Sequence, residues 1–261
     1  MTTSTTIRTF IEDREVAGEQ VRTWEERRLR AVFRKLAAGL GARAVGEMLP
    51  GETIAGVLGG PIDTQRAALT SMKTRLGHAG MYALLRRELA FSEATTRATV
   101  AASRGRTATS VTRLEAPDVS ADRFADWFDD LTASNREAEM LEACPDHYLL
   151  RGLPDGRQEV VETTGGSPAA TRFLVDYTRT DRLSTPADPG YPIQIAGAAL
   201  LDDGTCIGGV RHQLRDRDGT LEALLTVEFP AVVPARLLRQ HQWHLAVEFG
   251  NWIRSSTASP R

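Results

Sequence analysis

The sequence predicts an α+β protein in two parts, a helical segment over residues 1–105 and, over residues 106–261, an antiparallel sheet closed by one long C-terminal helix. Three observations lead there. Apolar residues recur at three- and four-residue spacing through the first hundred positions. Between residues 148 and 229, β-branched and apolar runs are separated by Pro, Asp and Gly clusters of hairpin length, which implies antiparallel pairing. After Val233-Pro234, the run to Trp252 neither alternates nor carries a breaker before Gly250, so it reads as a helix. Successive antiparallel strands closed by a long helix describe a helix-grip arrangement, in which a curved sheet wraps the helix and leaves a cavity between them.

In chain order, the helical pattern runs from Glu12 to about Ala102. Trp24, Leu29, Val32, Phe33 and Leu36 form one apolar stripe, which Gly39-Leu40-Gly41 breaks. Residues 64–76, with Asp63 as N-cap, and 81–91, after Gly77-His78-Ala79-Gly80, read as further helices. Arg27, Arg28, Arg30, Arg34, Arg86 and Arg87 are interspersed with Glu25, Glu26 and Glu88, which marks a solvated helix face and not a phosphate-binding stripe. His78 reads as a surface or hinge residue. Residues 107–114 read as a strand, and Pro117-Asp118-Val119-Ser120 caps a helix over 121–132 whose Phe124, Trp127, Phe128 and Leu131 belong to the core. Strands follow at 158–164, 170–177, 193–201, 205–214 and 221–229, before the C-terminal helix.

Composition narrows the function. A chain of 261 residues can bury a full core, as one large domain or two of ordinary size. With 41% hydrophobic residues, 25% charged residues and a net charge of -2, it lacks the basic footprint of a nucleic-acid binder. No apolar run approaches the ~20 residues that span a bilayer. The opening Met1-Thr2-Thr3-Ser4-Thr5-Thr6-Ile7-Arg8 has no signal-peptide core, and Cys144 and Cys206 form no CxxC pair. The expectation is a cytoplasmic protein acting on a small molecule, with no nucleic-acid or membrane partner and homo-oligomerisation left open.

The chemistry-bearing residues centre on the last helix. There His244 and Glu248 are i and i+4, which puts an imidazole and a carboxylate on one face as a metal chelate or as a simple hydrogen-bonded pair. His241, one turn earlier, is a third polar group or a rim residue. His147 stands in Cys144-Pro145-Asp146-His147-Tyr148 at the mouth of the strand region. Glu159 and Glu162 are three apart on one strand, so only one of them faces the cavity. His212 shares a sheet face with Val210. His147, Glu162, His244 and Glu248 together would make a two-imidazole, two-carboxylate set suited to zinc or another borderline divalent ion, the alternative being scattered polar residues.

Four segments resemble the diacetylphloroglucinol hydrolase and phloretin hydrolase family. They are residues 112–128 (TRLEAPDVSADRFADWF), residues 144–148 (CPDHY), residues 161–166 (VETTGG) with 210–219 (VRHQLRDRDG), and residues 244–251 (HLAVEFGN), the last similar to the family's H-x-x-x-E-F-x-N helix. The resemblance covers roughly 107–252. It implies a Bet v 1-like C-terminal domain, bound zinc, and cleavage of a carbon–carbon bond between an acyl group and a phenolic ring. It also implies His147, Glu162, His244 and Glu248 as metal ligands and His212 as a histidine lining the substrate cavity. Glu162 precedes the Gly-Gly turn as the family's ligand does. Cys144 stands where the family usually carries a His, a single Trp127 replaces a double Trp, and the interval from His147 to Glu162 is short. The expected enzyme is a zinc-dependent hydrolase of an acyl-phenol or aromatic polyketide-like substrate, with His212 or Tyr148 protonating the departing ring carbon. The alternatives are a metal-free helix-grip protein that binds or cyclises such a ligand, and a ligand-sensing regulator.

Overall fold

Apolar spacing sorts most of the chain into helix and sheet as expected; the N-terminus, the short helix at 137–142 and the strand at 147–152 carry no such signal. The computed structural model describes residues 5–258. Its elements are β1 (Arg8–Ile11), β2 (Arg14–Val16), α1 (Gly18–Met48), α2 (Ile54–Gly59), α3 (Ile62–Ser103), β3 (Thr107–Pro117), α4 (Ala121–Ala133), α5 (Glu137–Glu142), β4 (His147–Gly152), β5 (Gln158–Glu162), β6 (Thr171–Asp176), β7 (Ile193–Leu200), β8 (Cys206–Arg217), β9 (Thr220–Pro230) and α6 (Ala235–Ala258).

Residues 8–16, expected within the helical segment, instead form a hairpin. Its two-residue turn, Glu12-Asp13, holds both residues at positive φ (51° and 58°), the backbone that twists with the strands it joins. Arg8 pairs with Glu115 and Ile11 with Thr112, so the hairpin extends the sheet beside β3. Two very short strands and a turn without Asn-Gly or Asp-Gly left no periodic signal to read. The helices run longer than the sequence suggests, because the chain bends at Gly41 (φ 80°) and Gly77 (φ 65°) and then resumes helix. Asp63 lies in the first turn of α3, whose N-cap is Pro61. Ser120 caps α4 as expected, its hydroxyl accepting the Arg123 N–H.

The nine strands among the described residues pair antiparallel in the order β2-β1-β3-β9-β8-β7-β6-β5-β4. Two cores flank the sheet. On one face α4 and α6 pack Phe124, Phe128, Phe249 and Trp252 against Leu114, Leu214 and Leu225. On the other, α1 and α3 bury Phe33, Leu36, Leu69 and Met72 with Tyr148 and Val161 of β4 and β5. At about 1.5–3 kcal/mol for each fully buried large side chain, that second core binds the helices firmly to the sheet.

Candidate metal centre and ligand cavity

Pairing register brings the first two site residues together. His147 opens β4 and Glu162 closes β5, and the antiparallel ladder sets them directly opposite one another, which points both side chains to the same face. Consecutive residues point to opposite faces, so Glu162 and Val160 face the cavity while Val161 packs against the helices. From α6, His244 and Glu248 reach the same point across one helical turn. The turn after β5 permits this closeness: Gly165 has φ 54°, and a Cβ there would stand 2.7 Å from the His241 backbone nitrogen and 2.9 Å from the Leu237 carbonyl oxygen. Only glycine lets the turn lie against the helix backbone.

The donors converge tightly. His147 Nε2 is 3.2 Å from His244 Nε2, 3.2 Å from Glu248 and 3.8 Å from Glu162. His244 Nε2 is 3.7 Å from Glu162 and 3.9 Å from Glu248. A tetrahedral ion with ligands at about 2.1 Å has donor–donor edges of about 3.4 Å, so the set fits a zinc-sized ion. The His147 Nδ1–H donates to the Met140 carbonyl at 3.2 Å, which aims the Nε2 lone pair at the centre. His241 stacks on His244 with ring centroids 5.1 Å apart. A donor atom of Cys144 lies within 4.8 Å of ring nitrogens of His147 and His244, but burial and the neighbouring carboxylates hold its thiol well above the ordinary range.

Electrostatics follow from burial. Desolvation, with Glu248 and Asp146 close by, pushes the Glu162 carboxyl up to about 7 against the pull of His147. Burial opposes charge on His147, but the hydrogen bond its ring donates to Glu248 and the fields of Glu248 and Glu162 outweigh it and raise the imidazole above its usual value. His244 is held well below its usual value by burial and by His241 and His147.

Three of the set, Glu162, His244 and Glu248, with His147 fully buried against them, line a cavity of about 330 Å³ between the sheet and α6. Its lining is mostly apolar: Phe128, Leu150, Val160, Phe173, Ile195, Val210, Val227, Leu245, Phe249 and Trp252. Phe91, Ser92, Thr95 and Thr99 of α3 and Pro168 also line it. His212 lines it together with Val210, as their shared sheet face predicts. Burial lowers His212 to about 3, its ring stands edge-on to Phe249 at 4.6 Å, and its Nδ1 has no hydrogen-bond partner among the described residues. Gln158 and Tyr177, which the sequence did not single out, add polar atoms, the Tyr177 hydroxyl donating to Gln158 Oε1 at 2.8 Å.

Two expectations change. Tyr148, a candidate proton donor, is the residue after His147 and so faces the other way, into the core with α1 and α3 and between Lys35 and Lys73. Burial also raises its hydroxyl far above the usual range, so it has no part in the cavity's chemistry. Arg28 is not on a solvated face, because it pairs with fully buried Asp146. Glu159 is held away from the site by Arg151 at 2.8 Å and Arg172 at 2.5 Å.

No helix among the described residues is long and apolar enough to cross a membrane. No protein-family model matches the chain, and no curated protein does. Among the solved structures similar to part of it are two of low identity. The crystal structure of Ara h 8.0201 is 10% identical with a TM-score of 0.40, covering 59% of this chain and 100% of that one. The crystal structure of protein Ms6760 from Mycobacterium smegmatis is 14% identical with a TM-score of 0.31, covering 56% of this chain and 87% of that one.

Proposed function

We propose that the protein is a metal-dependent hydrolase that cleaves the bond between an acyl carbon and a phenolic or 1,3-dicarbonyl-like ring carbon, in a Bet v 1-like helix-grip cavity. The observation that carries the reading is the convergence of two imidazole nitrogens and two carboxylates at the side of a mostly apolar cavity that also exposes a neutral histidine. The resemblance of the same four residues to the ligands of the phenolic-ketone hydrolases supports it, as does the order of strands and closing helix.

His147, Glu162, His244 and Glu248 would hold the ion. When bound, a zinc-class ion supplies a Lewis acid for the acyl carbonyl and a water of lowered pKa. The chain's own residues do the rest. The apolar walls exclude bulk water and hold a ring, and about 330 Å³ lies at the lower end of the range for small-ligand pockets, which suits one substituted aromatic ring. His212, neutral and with a free ring nitrogen, accepts or shares the proton of a ring hydroxyl and passes one to the ring carbon as the bond breaks. Gln158 and Tyr177 offer a second polar anchor. The ring carbanion is tolerable as a leaving group because the ring hydroxyls delocalise it as a keto tautomer.

Metal analysis of untagged protein, with an acyl-phenol hydrolysis assay before and after chelation, tests the reading. About one divalent ion per chain and turnover that disappears with the metal are expected. Full turnover in metal-free protein rejects the metal dependence, and absence of both metal and turnover rejects the hydrolase. A second reading rests on the 3.2 Å contact between His147 and Glu248: with His147 protonated, the pair is complete without a metal, and the cavity binds or cyclises a polyketide-like ligand. Stoichiometric ligand binding without hydrolysis by metal-free protein supports that one.

A further inference from the structure

The N-terminal helices reach the strand-borne candidate metal ligands through a buried ion pair. Asp146, the residue before His147, is fully buried. The Arg28 guanidinium on α1 donates to its carboxylate from Nη2 at 2.7 Å and from Nε at 3.0 Å. The same carboxylate accepts from the Thr163 hydroxyl, and the Asp146 carbonyl accepts the Thr163 N–H at 3.1 Å. Thr163 is the residue after Glu162. Asp146 and Thr163 therefore flank His147 and Glu162, which face each other across β4 and β5. The Lys73 ammonium of α3 adds a second tie, donating to the Pro145 carbonyl at 2.9 Å.

A buried carboxylate stripped of its cation is strongly disfavoured. Without Arg28, the Asp146 carboxylate must turn toward water or toward another donor. Either change alters the Asp146–Thr163 link that fixes the ends of the two strands, and metal sites tolerate errors of only about 0.5 Å in donor placement.

We propose that Arg28 is a positioning residue for the metal centre: the N-terminal segment sets the spacing of His147 and Glu162 through Asp146, and with it the affinity for the ion. This rests on the metal reading of the His–Glu set. It also assigns a task to a helical segment that contributes none of the four ligands.

Full-length wild type, Arg28→Gln and Arg28→Lys, titrated with cobalt(II) and followed by visible absorption, test it, with melting temperatures of the metal-free proteins in parallel. Arg28→Gln is expected to bind cobalt about 10–100-fold more weakly, the usual loss for an outer partner of a ligand, with a changed band shape. Arg28→Lys keeps the charge without the fork and is expected to recover part of the affinity. A folded Arg28→Gln with wild-type cobalt affinity and spectrum, whatever its melting temperature, overturns the proposal and leaves the metal reading standing. If Arg28→Gln does not fold, Arg28→Lys with wild-type affinity and spectrum overturns it equally. Wild type that binds no cobalt overturns the metal reading and this inference with it.

Discussion

His147 and His244 approach nitrogen to nitrogen, Nε2 to Nε2, at 3.2 Å. Two lone pairs at that distance repel, so the approach is favourable when one ring donates its N–H to the other or when the rings share a cation, a proton on His147 or a metal ion between them. Glu248 and Glu162, beside both rings, neutralise either one. Purified protein is therefore expected to hold about one divalent ion, and His244→Ala or Glu248→Ala to lose it. Elemental analysis checks this, and stoichiometric metal in both variants removes the site from consideration.

Glu162 and Glu159 are expected to respond in opposite ways. In the folded metal-free chain Glu162 titrates near 7 against an ordinary 4.5, so folding favours its protonated form. The stability it contributes is complete below 4.5 and lost as pH rises through about 7. Metal-free Glu162→Gln is thus expected to melt higher than metal-free wild type at about pH 8, by something on the order of 5 °C, while binding no metal. Glu159→Gln keeps its metal but melts lower, since Arg151 and Arg172 lose their shared partner. Metal lost from Glu159→Gln and kept by Glu162→Gln reverses the assignment.

The reach of sequence reasoning is visible in these residues. The i, i+4 pair on α6 and the shared face of Val210 and His212 depend only on local periodicity, so both were legible. That Glu162 and not Glu159 joins the histidines depends on the register with β4, which no local pattern encodes; the Gly-Gly turn after Glu162 was the available hint. Tyr148 was misplaced because its neighbour's role was extended to it, although adjacent strand residues face apart. The Arg28–Asp146 pair joins positions far apart in the chain, and Arg28 sits in a run of charges that looks solvated. Only the fold shows which member of that run is buried.

His212→Asn is expected to keep its metal and lose roughly 10²–10⁴ in turnover, the usual loss for one acid–base group. Metal content, melting temperature and acyl-phenol hydrolysis measured on one preparation separate the outcomes. A destabilised but active variant makes His212 scaffold, and loss of metal makes it a ligand.

Acid should weaken the fold in part through the same residue. Unfolded, His212 takes a proton near 6.5, but in the folded protein burial delays this to about 3. Its contribution is complete above 6.5 and lost as pH falls toward 3, at about 1.4 kcal/mol per pH unit. Melting curves of metal-free wild type and His212→Gln between about pH 4 and 7 are expected to converge toward low pH, the variant having the shallower dependence. Parallel curves exclude a buried neutral imidazole.

Gly165→Ala is expected to cost about 1–2 kcal/mol for its left-handed backbone alone, and more because the new methyl meets α6. The turn carrying Glu162 would lift from the helix, so the melting temperature and metal affinity fall together. Unchanged values in both mean the turn does not press on α6.

The partnership of β3 with β9 sets the order in which this molecule can be assembled. Thr107 pairs with Pro230 and Pro117 with Thr220, so every contact along that seam joins residues more than a hundred positions apart. The strands from β4 to β9 pair with their immediate neighbours in the chain and close only short loops. The seam must close a long one, and its entropy is lost before the contacts repay it. During synthesis β3 emerges with its outer edge already covered by β1, while its inner edge waits, unpaired, for a strand more than a hundred residues later. The cavity has no wall on that side until β9 arrives, and the bare inner edge of β3 is where a stalled or truncated chain would pair with another copy.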